Sequence, residues 1–231
     1  MARPERIAEG VYRVDALPIP NAINVLLLAG DDGWTLVDTG LGRSAGRIQS
    51  ALRSLGANPG DLRRIVITHH HPDHIGGLPG MLAWAPAAEV WASEAEAEII
   101  AGTRATDPMR NPLLQRGMAA RRWPTAPVTR MLVDGDDVAR FRVVATPGHT
   151  RGHISLLRDD DLLFTADAFG NLLPDIRVGV LKLLCDDPEQ AGVSAANLTG
   201  QSFSTVAFSH GATLRTGAQA ALREAVDQDR E

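Results

Sequence analysis

Cysteine, tyrosine and long apolar runs are what this chain has least of, and each shortage removes a class of explanation. A single cysteine, Cys185, stands among 231 residues, so no disulfide can close within the chain and no cysteine metal ligand is expected. It lies in Leu183-Leu184-Cys185-Asp186 and reads as a buried, inert thiol. No apolar run approaches the roughly 18 to 20 residues needed to cross a bilayer, which leaves a membrane role without support. The opening Met1-Ala2-Arg3-Pro4-Glu5-Arg6 has no apolar segment after it and no small-residue cleavage site, so a cytoplasmic location is expected. Basic blocks are also missing. Lysine and arginine number 23 against 28 aspartates and glutamates, a net charge of −5, and no cluster tracks phosphates, so nucleic acid is not an expected partner. What remains, 44% hydrophobic and 22% charged, has the composition of an ordinary soluble domain. Residues 1–231 read as a single α/β domain long enough to bury a sizeable core.

Histidine is concentrated in one place. Four of the seven histidines fall in Thr68-His69-His70-His71-Pro72-Asp73-His74-Ile75-Gly76-Gly77, directly after the β-branched run Ile65-Val66-Ile67. Burying so many polar groups without partners would carry a large desolvation cost, so the stretch is a metal site or a proton relay. The spacing favours metal. On extended backbone His69 and His71 point the same way and can share one cation, while Pro72 forces a turn that aims Asp73 and His74 at a second point. His70 points opposite and reads as a packing or supporting residue.

Around this stretch the chain alternates strand and helix. Strands are expected at Val11–Val14, Asn24–Leu28 and Trp34–Val37, then a helix over about 44–55 with Ile48, Leu52 and Leu55 at helical spacing. A helix over 78–84, a strand at Glu89–Trp91 and a helix from Ser93 to Ile100 follow, with Ser93 and Glu96 spaced for a capping box. From 102 to 127 no strand is evident. The stretch reads as a lid, a binding loop or a short helical insert, and its five arginines (104, 110, 116, 121 and 122) as anion contacts or a solvated face. The second half gives β-type runs at Val128–Val133, Val138–Ala145, Ile154–Leu157, Leu162–Thr165 and Val206–Phe208, with a closing helix over 219–226. Asp159 to Asp161 read as solvated turn residues, and the apolar 169–184 as either a pocket wall or core.

His69-x-His71-x-Asp73-His74 resembles the H-x-H-x-D-H signature of the metallo-β-lactamase fold superfamily, and four further motifs agree in order. They are Asp38 in Leu36-Val37-Asp38-Thr39-Gly40, His149 in Thr146-Pro147-Gly148-His149-Thr150, Asp167 in Phe164-Thr165-Ala166-Asp167, and His210 in Phe208-Ser209-His210-Gly211. The resemblance implies a four-layer αββα sandwich. It implies one metal on His69, His71 and His149, another on Asp73, His74 and His210, and Asp167 bridging the two. Two zinc ions are expected, with iron or manganese as alternatives, and a bridging hydroxide as the nucleophile. Asp73 is implied as the catalytic proton carrier. Asp38 reads as a turn residue or as the partner of a ligand histidine, and His153 as a loop-orienting hydrogen-bonder.

Comparison with branches of the superfamily narrows the reaction. About 21 residues follow His210, so the helical carboxy-terminal domain of typical glyoxalase II is expected to be missing. The only tyrosine, Tyr12, is far from every motif, unlike acyl-homoserine lactonases. Secreted β-lactamases carry export signals and lack an aspartate at the fourth motif, and flavodiiron proteins carry glutamate where His71 stands. The expectation is a metal-dependent hydrolase of a small-molecule ester, thioester or lactone. A mononuclear-iron persulfide dioxygenase is the alternative, with a β-lactamase or phosphodiesterase behind it and a metal-binding module without catalysis last.

Overall fold

The structure, a computed structural model, describes residues 3–106, 123–158, 160–172 and 175–230. Two compact units emerge, one from residues up to 104 with 123–132, the other from residue 133 onward.

The first unit is built on a seven-stranded sheet. Its strands, β1 (Glu5–Ala8), β2 (Val11–Asp15), β3 (Asn24–Gly30), β4 (Gly33–Val37), β5 (Leu62–Ile67), β6 (Glu89–Ser93) and β7 (Arg130–Leu132), lie side by side in chain order. The first four form an antiparallel meander, and β4 to β7 run parallel. Parallel neighbours need crossovers, which here carry α1 (Ala45–Ser54), α2 (Pro72–Ile75), α3 (Leu78–Trp84) and α4 (Glu94–Ile100). Ile48, Ala51 and Leu52 of α1 and Leu78 and Met81 of α3 pack with Leu36, Ile65, Ile67 and Val90 of the sheet in one buried cluster. Each large side chain so buried contributes about 1.5–3 kcal/mol. The opposite face, with Leu26, Leu28, Val37 and Val66, is buried as well. Strands buried on both faces explain why β3 and β5 read as continuous apolar runs rather than alternating ones.

In the second unit β8 (Asp137–Val138), β9 (Phe141–Ala145), β10 (Ile154–Arg158), β11 (Leu162–Phe164) and β14 (Thr205–Ala207) form a sheet in the order β14-β11-β10-β9-β8. A separate hairpin pairs β12 (Phe169–Leu172) with β13 (Asp175–Val178). Helices α5 (Pro188–Thr199) and α6 (Ala218–Asp229) complete it, their Ala195, Leu198, Leu222 and Val226 packing with Leu163, Val206 and Phe208. Among the described residues no helix is long and apolar enough to cross a membrane.

Several expectations are corrected. The run Val138–Ala145 breaks into β8 and β9 because Ala139 and Arg140 take φ of 49° and 71°, the left-handed pair of a tight hairpin turn. Neither residue type signals such a turn. Ser93 makes no side-chain cap on α4, and the Glu96 carboxylate meets His70. Of the two readings of 169–184, Phe169 follows the core one, fully buried with Val178, while Leu172 on the same hairpin is 41% exposed. Leu173 and Asp159 lie outside the described residues, as do 107–122, where most of the expected lid and four of its five arginines fall. Arg104 pairs with Glu98 at 3.4 Å. Asp160 and Asp161 are turn residues as expected, bonded to Ser202 and Arg158.

Candidate metal centre

In the first unit, the ends of adjacent parallel strands bring the pieces together. Asp38 follows β4 with φ of 62°, a conformation unusual for a residue with a side chain, and its amide is fixed to Val66 O at 2.8 Å. Its carboxylate, 1% exposed, accepts from Thr68 N at 2.9 Å and Thr68 Oγ1 at 2.8 Å and lies 2.8 Å from His74 Nδ1. Asp38 is therefore the partner of His74, not a helix cap. With Nδ1 engaged, Nε2 is the nitrogen that His74 could offer to a metal.

His71 is extended, and Pro72 then opens the short α2 that carries Asp73 and His74. His69 Nε2 and His71 Nδ1 lie 3.1 Å apart, and the His69 and His74 ring centroids 3.8 Å apart. Asp73 Oδ1 is 4.0 Å from His74 Nε2. Thr39 clamps this turn, its amide and hydroxyl both donating to His74 O at 2.7 Å. That approach needs a bare backbone: a Cβ on Gly77 would sit 2.2 Å from Thr39 O. His70 Nδ1 meets Glu96 Oε2 at 2.6 Å, and its ring lies edge-on to that of His71, the centroids 5.3 Å apart.

In the second unit, His149, Asp167 and His210 follow β9, β11 and β14 respectively. Asp167 Oδ2 is shared: His149 Nε2 lies 3.3 Å from it and His210 Nε2 3.6 Å. His153 holds Asp167 from behind, its Nε2 accepting from the Asp167 amide at 3.1 Å. An acceptor Nε2 makes His153 neutral with the proton on Nδ1, which faces Thr146 Oγ1 at 2.8 Å. Thr146 is in turn 3.0 Å from Ser155 Oγ, which donates to Thr165 O at 3.0 Å. His210 O accepts from Asn171 N at 2.7 Å, tying the β12–β13 hairpin to this loop. Cys185 is buried as expected, and its Sγ is 3.7 Å from His149 Nδ1. Burial opposes a charge on His149, but hydrogen bonds to Asp167 and Cys185 outweigh it and raise its pKa from 6.5 to about 9.

These side chains fit a divalent metal. Ligand atoms about 2.0–2.1 Å from a tetrahedral zinc stand about 3.3 Å from one another. The His69–His71, His149–Asp167 and His210–Asp167 separations of 3.1, 3.3 and 3.6 Å agree within a few tenths. Imidazoles with anchored outer nitrogens and carboxylates are the donor set such an ion takes. The sequence motifs did not reveal Thr68, Glu96, Thr146, Ser155 or the position of Cys185. Asp38, His70 and His153, each in or near a motif, are the supporting residues that the sequence singles out.

A family model described as the metallo-beta-lactamase superfamily matches residues 18–210. The chain is 29% identical over 229 residues to the uncharacterized protein YobT of Bacillus subtilis, covering 94% of this chain and 95% of that one. It is 30% identical over 171 residues to the probable metallo-hydrolase YflN of the same organism, covering 69% and 63%. A hydroxyacylglutathione hydrolase of Synechococcus is 37% identical over 105 residues, 43% of this chain and 32% of its own length. The match thus spans less than two thirds of the latter two relatives. Among solved structures, a metallo-beta-lactamase of Cronobacter sakazakii with a HARLDQ motif has a TM-score of 0.71 at 25% identity, covering 99% of this chain and 91% of that one. The class B3 di-zinc enzyme LRA-12 from an Alaskan soil metagenome has a TM-score of 0.73 at 19% identity, covering 99% and 91%, which speaks for the fold alone.

Proposed function

The chain belongs to the metallo-beta-lactamase superfamily and is a metallohydrolase, and from this we propose that it cleaves the ester, thioester or lactone carbonyl of a small molecule at a dinuclear site. His69, His71 and His149 would hold one ion and Asp73, His74 and His210 the other, with Asp167 available to either. Divalent ions there, zinc first and iron or manganese as alternatives, supply Lewis acidity and a water acidified to a pKa near about 7. The observation that carries this reading is the single oxygen of Asp167 faced by the Nε2 atoms of two histidines.

The residues around the site divide the work. Asp38 and Thr68 fix the tautomer and tilt of His74, and His153 fixes the main chain of Asp167. Asp73 carries the proton to the leaving group. Its side chain is 29% exposed, whereas those of Asp38 and Asp167 are 1% and 5% exposed, so it is the carboxylate of this set that solvent and substrate can reach. The hairpin that leaves Asp167 carries the exposed Leu172, which favours a substrate with an apolar acyl or ring portion.

The test is elemental analysis of protein purified without added metal, followed by assays on small thioesters, aryl esters, homoserine lactones, lactoylglutathione and a β-lactam. The expected result is about two divalent ions per chain and hydrolysis of a carbonyl ester, thioester or lactone that a chelator abolishes and added zinc restores. One tightly held iron with oxygen-dependent turnover of a persulfide would replace this function with the dioxygenase alternative.

A further inference from the structure

We propose that Glu96 is a positioning residue for the metal ligands His69 and His71, acting through His70, an inference that rests on reading those two histidines as ligands. Between His69 and His71, whose Nε2 and Nδ1 lie 3.1 Å apart, stands His70, its ring centroid 5.3 Å from that of His71. His70, 3% exposed, meets Glu96, 1% exposed. One oxygen, Oε2, takes the His70 amide at 2.9 Å and its ring Nδ1 at 2.6 Å. Two bonds converging on one oxygen fix both the main chain and the side-chain rotation of the residue between the two ligands. The Trp123 ring, its centroid 5.7 Å from that of His70, packs beside the pair.

The anchor stands on the helix that follows the strand next to β5. Parallel pairing of Val66 with Trp91 and Ile67 with Ala92 sets the end of β5 beside the end of β6, and α4 starts immediately after β6. Glu96 therefore stands on a rigid element one strand away from the histidine loop. Glu96 lies in the first turn of α4, and its carboxylate meets His70. Because a single oxygen accepts both bonds, the role requires an acceptor at that point and does not require its charge.

Chain reach and charge are separated by comparing Glu96→Gln, which keeps the oxygen in place, with Glu96→Asp, which keeps the charge and withdraws the oxygen by one methylene, and with Glu96→Ala. Zinc affinity is read by chelator competition, ligand geometry by the visible absorption of the cobalt(II)-loaded protein, and the anchor itself by hydrogen exchange of the His70 amide in metal-free protein. The expected result is zinc affinity weakened about 10–100-fold in the Asp and Ala variants, with shifted cobalt bands and faster His70 exchange. The Gln variant should stay close to wild type in all three. Unchanged affinity and cobalt spectrum in Glu96→Asp, or a loss in Glu96→Gln equal to that in Glu96→Ala, would overturn the inference. If Glu96→Ala does not fold, the Asp and Gln pair decides. A wild-type protein that takes up neither zinc nor cobalt would instead overturn the proposed function, and the positioning role with it.

Discussion

His149 sits in an electrostatic conflict that its metal would resolve. Burial penalises its charge, and Asp167 and Cys185 more than compensate, giving the pKa near 9. A folded-state pKa above the unfolded value near 6.5 means that this proton stabilises the metal-free fold fully below about pH 6.5 and ceases to do so as pH rises through about 9. A metal ligand must give the proton up. Zinc binding at pH 7.5 should therefore release a proton from His149, and binding above about pH 10 should not. Calorimetry in buffers of different ionisation enthalpy measures this, and a binding heat independent of buffer at pH 7.5 would sink it. A second contrast concerns charge placement. Asp167→Asn should lose metal, whereas Asp161→Asn, in a surface turn, should keep it; equal metal content in the two would remove Asp167 from the site. The seven proposed ligands were legible because each sits within a few residues of a recognisable motif. Glu96 and Cys185 were not, since their bonds to His70 and His149 span 26 and 36 residues with no local signature.

At the scale of elements, punctuation decided what could be read. The helix expected over 78–84 matches α3, whose apolar residues recur at helical spacing between Gly77 and Pro86, and α1 lies one residue inside its expected range at each end. By contrast α5 was overlooked although Asp187 and Pro188 announce it, Asp187 accepting from the amides of Glu189 and Gln190 at 3.1 and 3.0 Å. Its buried face is mostly alanine and serine, too small to stand out in a hydrophobic pattern. The start of α5 also constrains the loop bearing His149. A Cβ on Gly148, at φ +129°, would lie 2.1 Å from Ala191 N. Gly56, at φ +85° with nothing within 4 Å, supplies the control. Gly56→Ala should cost about 1–2 kcal/mol from backbone strain alone. Gly148→Ala should cost more and should also weaken zinc, because the helix start must move. Urea midpoints at unchanged slope give the comparison. Equal losses would mean that the close packing at Gly148 carries no weight.

For the molecule as a whole, metal removal is the broadest test. A ligand present at about 1,000 times its dissociation constant stabilises the folded state by about 4.1 kcal/mol. In a chain of about 150–250 residues each kcal/mol moves Tm by about 2–4 °C, so stripping the metal at neutral pH should lower Tm by about 8–16 °C. A Tm that does not change with chelation would show that the donor set does not bind metal in the folded protein. The order of the ligands along the chain has a further consequence, for synthesis. The first unit draws its strands from residues 5 to 132, so its sheet and the loop from His69 to His74 have all their partners once residue 132 has emerged. His210 arrives almost eighty residues later, about 4–16 s at the usual pace of about 5–20 residues per second. Throughout that interval the nascent chain would offer only the four candidate ligands between His69 and His74, so a cation taken up then would be held without His149, Asp167 and His210.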